Sequence, residues 1–594
     1  GASKTFSTGN NAAITTAGTG TLSFSGGGLG ITTITGTGFA ASGGGTVLVH
    51  GASNTIASGN ATALSLNGVA LAPAGVTFQN ISATPAAVAA VDIDTVTLGG
   101  ALSIGGLTVS GGGTGARFSN LTGGAGVNLT GTIDIDGGTG FEFTGTLETI
   151  NIAGGAGSTL TIDGASTAIL FNGVTSGVVN IGLSGASASI GATTSSTVAA
   201  IGVSGGTGGL LTYGGTVRAA VGAALSVTNS SSLVELAGAT TSTSANPLFN
   251  FANADGNYFV TGSVSHNGGA GVTVDAASSG AITFSNANKA FNSGAGTAIS
   301  MAGTGTLSFN GGGLDIDTTG GTGFSATGGT VVVTGANNRI DTTTGQILNL
   351  SGVTAGTGGI NFASLTAIGT VANNGILLSN LTGDAFSGGT VNIGGISGGA
   401  NDGVKVTGGT AAINFGSTTI GTAGSNAIEL LNSGSTVTFG TVNLAGAGGS
   451  TVVIAGSTGA VSFGTGTITA TGAANRAVDI TGGTGEIGIA AALGGTNMLR
   501  ITDHETGNIT FGGNMSSTVS GIDIRNSNSG VISFIGTSLA LGGTGPGVFL
   551  DGNTGGTIDF NLSAGGNGLD IVTTGIGFTA TNGGTVIVRG AGNS

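Results

Sequence analysis

The strongest constraint on this chain is a period. Between Asn401 and Gly565 a short pattern returns about every 24 residues: two apolar residues flanking a polar one, a turn bearing Gly or Ser, then a second triplet usually ending in Phe. The first triplet reads Val404-Lys405-Val406, Ile428-Glu429-Leu430, Val452-Val453-Ile454, Val478-Asp479-Ile480, Leu499-Arg500-Ile501, Ile522-Asp523-Ile524 and Val548-Phe549-Leu550. The second reads Ile413-Asn414-Phe415, Val437-Thr438-Phe439, Val461-Ser462-Phe463, Ile487-Gly488-Ile489, Ile509-Thr510-Phe511, Ile532-Ser533-Phe534 and Ile558-Asp559-Phe560. A compact globule has no use for such a period, whereas a β-coil that returns to the same place each turn requires it. The alternation in Thr436-Val437-Thr438-Phe439 is that of a strand with one buried face. Strands of about four to six residues are predicted, ending at Gly, Asn or Ser clusters where positive φ is cheap. No amphipathic helix is predicted.

Parallel stacking of the coils turns the middle residues of the first triplet into an outward column. Lys405 then neighbours Glu429, and Asp479, Arg500 and Asp523 alternate in sign on successive coils. Each exposed pair is worth about 0–1 kcal/mol, so these charges report register more than stability. The inward Phe column carries more: roughly 1.5–3 kcal/mol per buried ring, with rings spaced near the strand separation of about 4.8 Å. The expected fold is all-β, a parallel β-helix (β-solenoid) of about 24 residues per coil running through residues 1–594 as a single elongated rod. Roughly 25 coils would make it on the order of 110–120 Å long.

Composition removes the rival classes. Gly supplies 128 of 594 residues and Pro only 4, so the three-residue Gly period and Pro content of collagen are both missing. Disorder needs low hydrophobicity and high charge, but charged residues are 6% and the mean hydropathy is +0.44. Ten Lys+Arg against 24 Asp+Glu give a net charge of −14, which offers no electrostatic basis for binding nucleic acid or an anionic membrane. No run of about 18 apolar residues exists, so no membrane insertion by this segment is expected. The absence of Cys rules out a disulfide framework and a thiolate metal site. The opening Gly1-Ala2-Ser3-Lys4 has neither Met nor a basic-then-apolar leader, and reads as a fragment whose targeting parts lie elsewhere or were removed.

A longer repeat overlays the coils. Residues 17–24 (AGTGTLSF) recur at 302–309, Thr37-Gly38-Phe39 matches Thr322-Gly323-Phe324, and a third copy covers Gly568-Leu569-Asp570-Ile571 and Thr585-Val586-Ile587-Val588. The long repeats run approximately over 1–288, 289–544 and 545–594, the last cut mid-pattern. The string GGGLDIDTTGGTGFSATGGTVVVTGANN (311–338) resembles the β-strand repeats of very large bacterial surface and secreted proteins, including autotransporter-like passengers and filamentous adhesins. The resemblance implies a right-handed parallel β-helix, placement on the bacterial cell surface or outside the cell, and an adhesive or scaffolding role. It supplies no site residues.

Motif matches come cheaply in so Gly-rich a chain: G-x-G-x-x-G is expected about six times by chance, and no strand-then-helix context supports it. Gly395-Ile396-Ser397-Gly398-Gly399 fits G-x-S-x-G, but a nucleophile elbow needs a following helix and a His and an acid within reach. Gly565-Gly566-Asn567-Gly568-Leu569-Asp570-Ile571-Val572-Thr573 spells a calcium β-roll nonapeptide once, where sharing of ions between turns needs tandem copies. Asp92/Asp94, Asp134/Asp136 and Asp315/Asp317 place two carboxylates on one strand face. Such pairs suit polysaccharide hydrolysis or calcium-assisted lyase chemistry, or form a solvated face with Ile93, Ile135 and Ile316 buried between them. Asn253-Ala254-Asp255-Gly256-Asn257 hints at an oxygen-ligand loop, but Val264 stands where an EF-hand needs Glu. Asp503-His504-Glu505, preceded by Arg500, is the one charge-dense spot, read as a solvated turn against the alternative of an acid–base or metal site. His50, His266 and His504 are the only histidines, too far apart along a rod to cluster, and His50 reads as an exposed turn residue.

The sequence thus predicts a non-catalytic structural or adhesive rod, extracellular, with no catalytic residue, cofactor or metal site assigned. The alternative is an adhesin passenger that binds host or neighbouring-cell glycans or proteins through outward Thr, Asn and Asp ladders, with self-association along the rod or end to end. A polysaccharide-degrading β-helix enzyme ranks third. It would need a cleft with converging acids plus Arg or Lys, and long loops on one face.

Overall fold

The computed structural model describes residues 3–183, 185–446, 448–472, 474–528, 530–563, 567–590 and 592–594. Among them every regular element is a β-strand, and there is no helix. The chain divides into two compact units, Gly1–Phe291 with Ala302–Ser308, and Asn292–Met301 with Phe309–Ser594. Each unit is a parallel β-solenoid in which a strand pairs with its counterparts one turn before and one turn after.

In the second unit both predicted triplets stack in the predicted register. Val404, Ile428, Val452, Val478, Leu499, Ile522 and Val548 are successive partners. So are Ile413, Val437, Val461, Ile487, Ile509, Ile532 and Ile558. Ring centroids of Phe439 and Phe463 lie 4.8 Å apart at an interplanar angle of 5°, and those of Phe534 and Phe560 lie 4.8 Å apart at 7°. That is the separation of hydrogen-bonded strands, so the rings inherit their spacing from the ladder beneath them. Ile489 interrupts the column between Phe463 and Phe511.

Two features depart from the sequence reading. Each of these turns carries a third inward column, in which Ile420, Leu444, Ile468, Leu493, Met515 and Leu539 are successive partners. The strands also outgrow four to six residues: Ile413–Thr422 runs through the second and third columns without a break, and Thr139–Ile152 and Thr167–Ile181 reach 14 and 15 residues. A solenoid strand can bend around a corner while its ladder continues, so the Gly and Ser in these segments mark bends rather than ends. Turn length is correspondingly loose, from 21 residues between the partners Asp479 and Arg500 to 32 between Asn172 and Ser204.

One corner is conformationally fixed. After the first strand of each turn a residue adopts the left-handed region: Asn432 (φ 49°), Gly456 (61°), Gly482 (62°), Asp503 (57°), Asn526 (51°) and Gly552 (69°). Its N–H donates to the carbonyl just before the same corner one turn on, as from Asn432 to Ala455 and from Gly456 to Thr481. Gly and Asn dominate because they enter this region at least cost. The first unit has the same column, with Asn120, Asn229, Asn253 and, against its β-branched nature, Thr95 at φ 55°.

Candidate functional site

The paired aspartates sit where alternation puts them, on outward positions flanking fully buried isoleucines. Their fates differ. Asp92 is held bidentately by Arg117 from the next turn, at 2.9 and 3.0 Å. Asp315 is held the same way by Arg339, at 2.6 and 2.9 Å, and Arg339 also lies 3.6 Å from Asp341. Asp315, Asp317 and Asp341 bring oxygens within 4.8 Å of one another, a spacing a divalent ion could span. The guanidinium already occupies the cation's role there. Burial, then Asp315, pushes the Asp317 carboxyl up, and Arg339 opposes the rise. Among the described residues no arginine pairs with Asp134. It faces Thr108 and Thr161 in adjacent turns, and burial, then Asp136 and Asp163, pushes its carboxyl up. Asp163 is buried and accepts hydrogen bonds from the backbone and hydroxyl of Thr193 and the backbone of Thr194.

Asp503-His504-Glu505 is not the uniformly solvated turn expected. Asp503 and Glu505 are exposed, but His504 is 1% exposed, with Nδ1 3.0 Å from the Gly482 carbonyl. The reason is the corner: the residue after the left-handed position turns inward, as Ser433, Ser457, Ser527 and Asn553 do in other turns. Two acids point out and the imidazole points in, so the three cannot converge on one ligand. Aligning post-corner residues would have revealed this. His50 is exposed, as expected, whereas His266 is buried with Nε2 2.9 Å from the Gly269 carbonyl, and burial brings its pKa down. Lys289, not singled out in the sequence, is buried as well. It donates to the Asn286 carbonyl, and burial brings its ammonium down to about 8.

The remaining motifs dissolve into the ladder. Ser397 follows the strand Phe386–Ile396, which runs into a turn and not a helix, and its hydroxyl donates to the Val371 carbonyl. In the nonapeptide, Gly565 and Gly566 lie outside the described residues, and Asp570 has Ala540 as its partner in the preceding turn, so no second carboxylate stands there to share an ion. Asn253 is a corner residue whose amide donates to Asn229, and Asp255 accepts from the backbone and hydroxyl of Ser279.

The predicted charge column is present and ends in a groove. Lys405 contacts Glu429 and Asp402, and Arg500 holds Asp479 bidentately. Asp523 follows Arg500 in register, as expected, but its carboxylate is held by Arg525 from its own strand, at 2.7 and 3.1 Å. Arg476 reaches across an intervening turn to within 3.8 Å of Asp523. Burial, then repulsion from Arg500, brings the Arg476 pKa down. Arg476, Asp523 and Arg525, with Ser520, Pro546 and Phe549, line a groove of about 290 Å³. The Arg525 guanidinium lies 4.7 Å from the centre of the Phe549 ring. The readable signal was Phe549 itself, an aromatic at the outward position that other turns give to Lys, Glu, Asp, Arg or Val. A neighbouring groove of about 310 Å³, over Thr467, Thr469, Asn514 and Ser538, contains no charged side chain.

Compared with known proteins, the chain matches no family model, no curated protein and no solved structure.

Proposed function

We propose that this chain is a non-catalytic structural segment of a large bacterial protein displayed on the cell surface or secreted. The observation that carries the reading is how its charges are used. Among the described residues, Arg117, Arg339, Arg500, Arg525 and Arg589 each hold an aspartate, four of these five from another turn. Carboxylates tied in this way brace neighbouring turns and leave no open pair of acids beside a free base, the arrangement that polysaccharide cleavage on a β-helix would use. The chain is rich in Thr, Ser, Asn and Gly, suited to a solvated stack. The likeness of residues 311–338 to the repeats of bacterial surface exoproteins supports the external placement.

The test is location plus inertness. Antibodies raised against the folded chain should label intact source cells or the culture medium, and labelling only after lysis would overturn the placement. Incubation with polygalacturonate and alginate should release no oligosaccharide, and release would replace the scaffold with an enzyme.

A further inference from the structure

We propose that the groove at Arg476 binds a singly charged acidic sugar, one carboxylate-bearing ring per chain. This goes beyond the scaffold reading and does not rest on it, since it needs only the turns from Arg476 to Phe549.

The argument starts from an unbalanced charge. The groove is lined by two guanidiniums, Arg476 and Arg525, against one carboxylate, Asp523. Arg525 takes both oxygens of Asp523 in a fork, at 2.7 and 3.1 Å. Arg476 is left with a contact of 3.8 Å, beyond hydrogen-bond range, and makes no side-chain hydrogen bond among the described residues. Only 21% of its side chain remains exposed. A mostly buried guanidinium with free donors facing a cavity is suited to a planar carboxylate, which it can grip with two parallel hydrogen bonds.

The rest of the groove selects the carrier of that carboxylate. Phe549 and Pro546 give it an apolar wall, and Ser520 and Asp523 place hydroxyl and carboxylate oxygens beside that wall. A sugar ring has this same division, with C–H faces on one side and hydroxyls at the rim. The volume of about 290 Å³ is at the small end of ligand sites, room for one ring and not for a folded peptide. The chain's net charge of −14 repels polyanions at a distance, which favours a single acidic residue at a chain end over a run of uronates.

Titration of the whole chain with methyl β-glucuronide, methyl β-glucoside and N-acetylglutamate amide, followed by saturation-transfer NMR and calorimetry, tests this. The glucuronide should bind at least about tenfold more tightly than the glucoside, the worth of a charge-assisted pair. Arg476→Gln should erase that difference, Arg476→Lys should restore part of it, and Arg117→Gln, in the first unit, should leave it intact. If Arg476→Gln fails to fold, Phe549→Ser on the same outer face serves instead and should weaken both sugars together. Equal binding of the two sugars, binding of neither, discrimination that survives Arg476→Gln, or tighter binding of N-acetylglutamate amide than of the glucuronide would each overturn the proposal, the last in favour of an acidic peptide partner.

Discussion

Two stretches of this molecule solve the same stacking problem differently. In the second unit, from Ile413 to Phe560, turns differ in length, yet the strands stay aligned: Ile413 and Val437 are 24 residues apart, Val461 and Ile487 are 26, and Ile487 and Ile509 are 22. The extra or missing residues fall in the connections. In the first unit, between the strands Thr139–Ile152 and Thr167–Ile181, the surplus falls inside the ladder, and the register shifts between Thr144 and Thr149. The aromatic rings record the outcome. Phe511 and Phe534 stack at 5.1 Å and 9°, whereas Phe143 and Phe171 meet at 6.3 Å and 52°. A solenoid therefore tolerates variable turns freely, and pays in side-chain stacking only when the variation enters a strand.

The sharpest attempt to break this comparison is a single inserted glycine. Placed in the turn after Ser457, it should change the unfolding free energy by less than about 1 kcal/mol. Placed between Ser462 and Phe463, it sends the following side chain to the wrong face, and the loss should reach or exceed the roughly 3–5 kcal/mol of deleting a buried Phe. Equal effects in denaturant titrations would void the distinction. Next in size, Phe534→Ala should cost about 3–5 kcal/mol. Phe171→Ala should cost less by about 0.5–1.5 kcal/mol, the stacking term a tilted pair forgoes, measured by hydrogen exchange in the affected turns.

The corner column allows a finer test. Thr95→Gly should raise stability by about 0.4–1 kcal/mol, because a β-branched residue at φ 55° is relieved. Asn432→Ala should lower it by about 1 kcal/mol or more. Opposite signs in the two units would show that one corner requirement governs both. Acidification separates the units differently. The folded pKa of His266 lies below its ordinary value of 6.5, so its share of stability is fully present above pH 6.5 and falls as the pH drops below it. Hydrogen exchange around Val264–Asn267 should quicken over that window, and His266→Gln should flatten the response. Smallest of all, Arg117→Gln should cost about 0–1 kcal/mol and less in high salt, since its pair with Asp92 is solvated.

The two Phe- and Val-bearing columns were legible because apolar residues flank a middle one in every triplet, and that middle residue is apolar only at Val453 and Phe549. The third was not, because Thr418 and Gly466 dilute its apolar signal and its strand is continuous with the second. Charges gave the register correctly at Lys405 with Glu429 and at Asp479 with Arg500. They gave it at Asp523 too, which partners Arg500 in register, although its ion pair forms with Arg525 two residues along the same strand. His504 was misread because a run of three polar residues looks solvated until the left-handed corner fixes which one turns inward. The Arg476 groove could not be read from spacing, since it joins residues two turns apart whose meeting depends on side-chain reach.

The backbone hydrogen bonds of either unit run along the stacking direction. Tension applied at the two ends of such a stack loads one rung at a time, as in a zipper, and not all rungs together in shear. Each turn that lets go would pay out about 24 residues, or about 80 Å of extended chain. A stack that resists bending would thus act under pull as a length reserve, lengthening in steps while the turns behind the break stay wound.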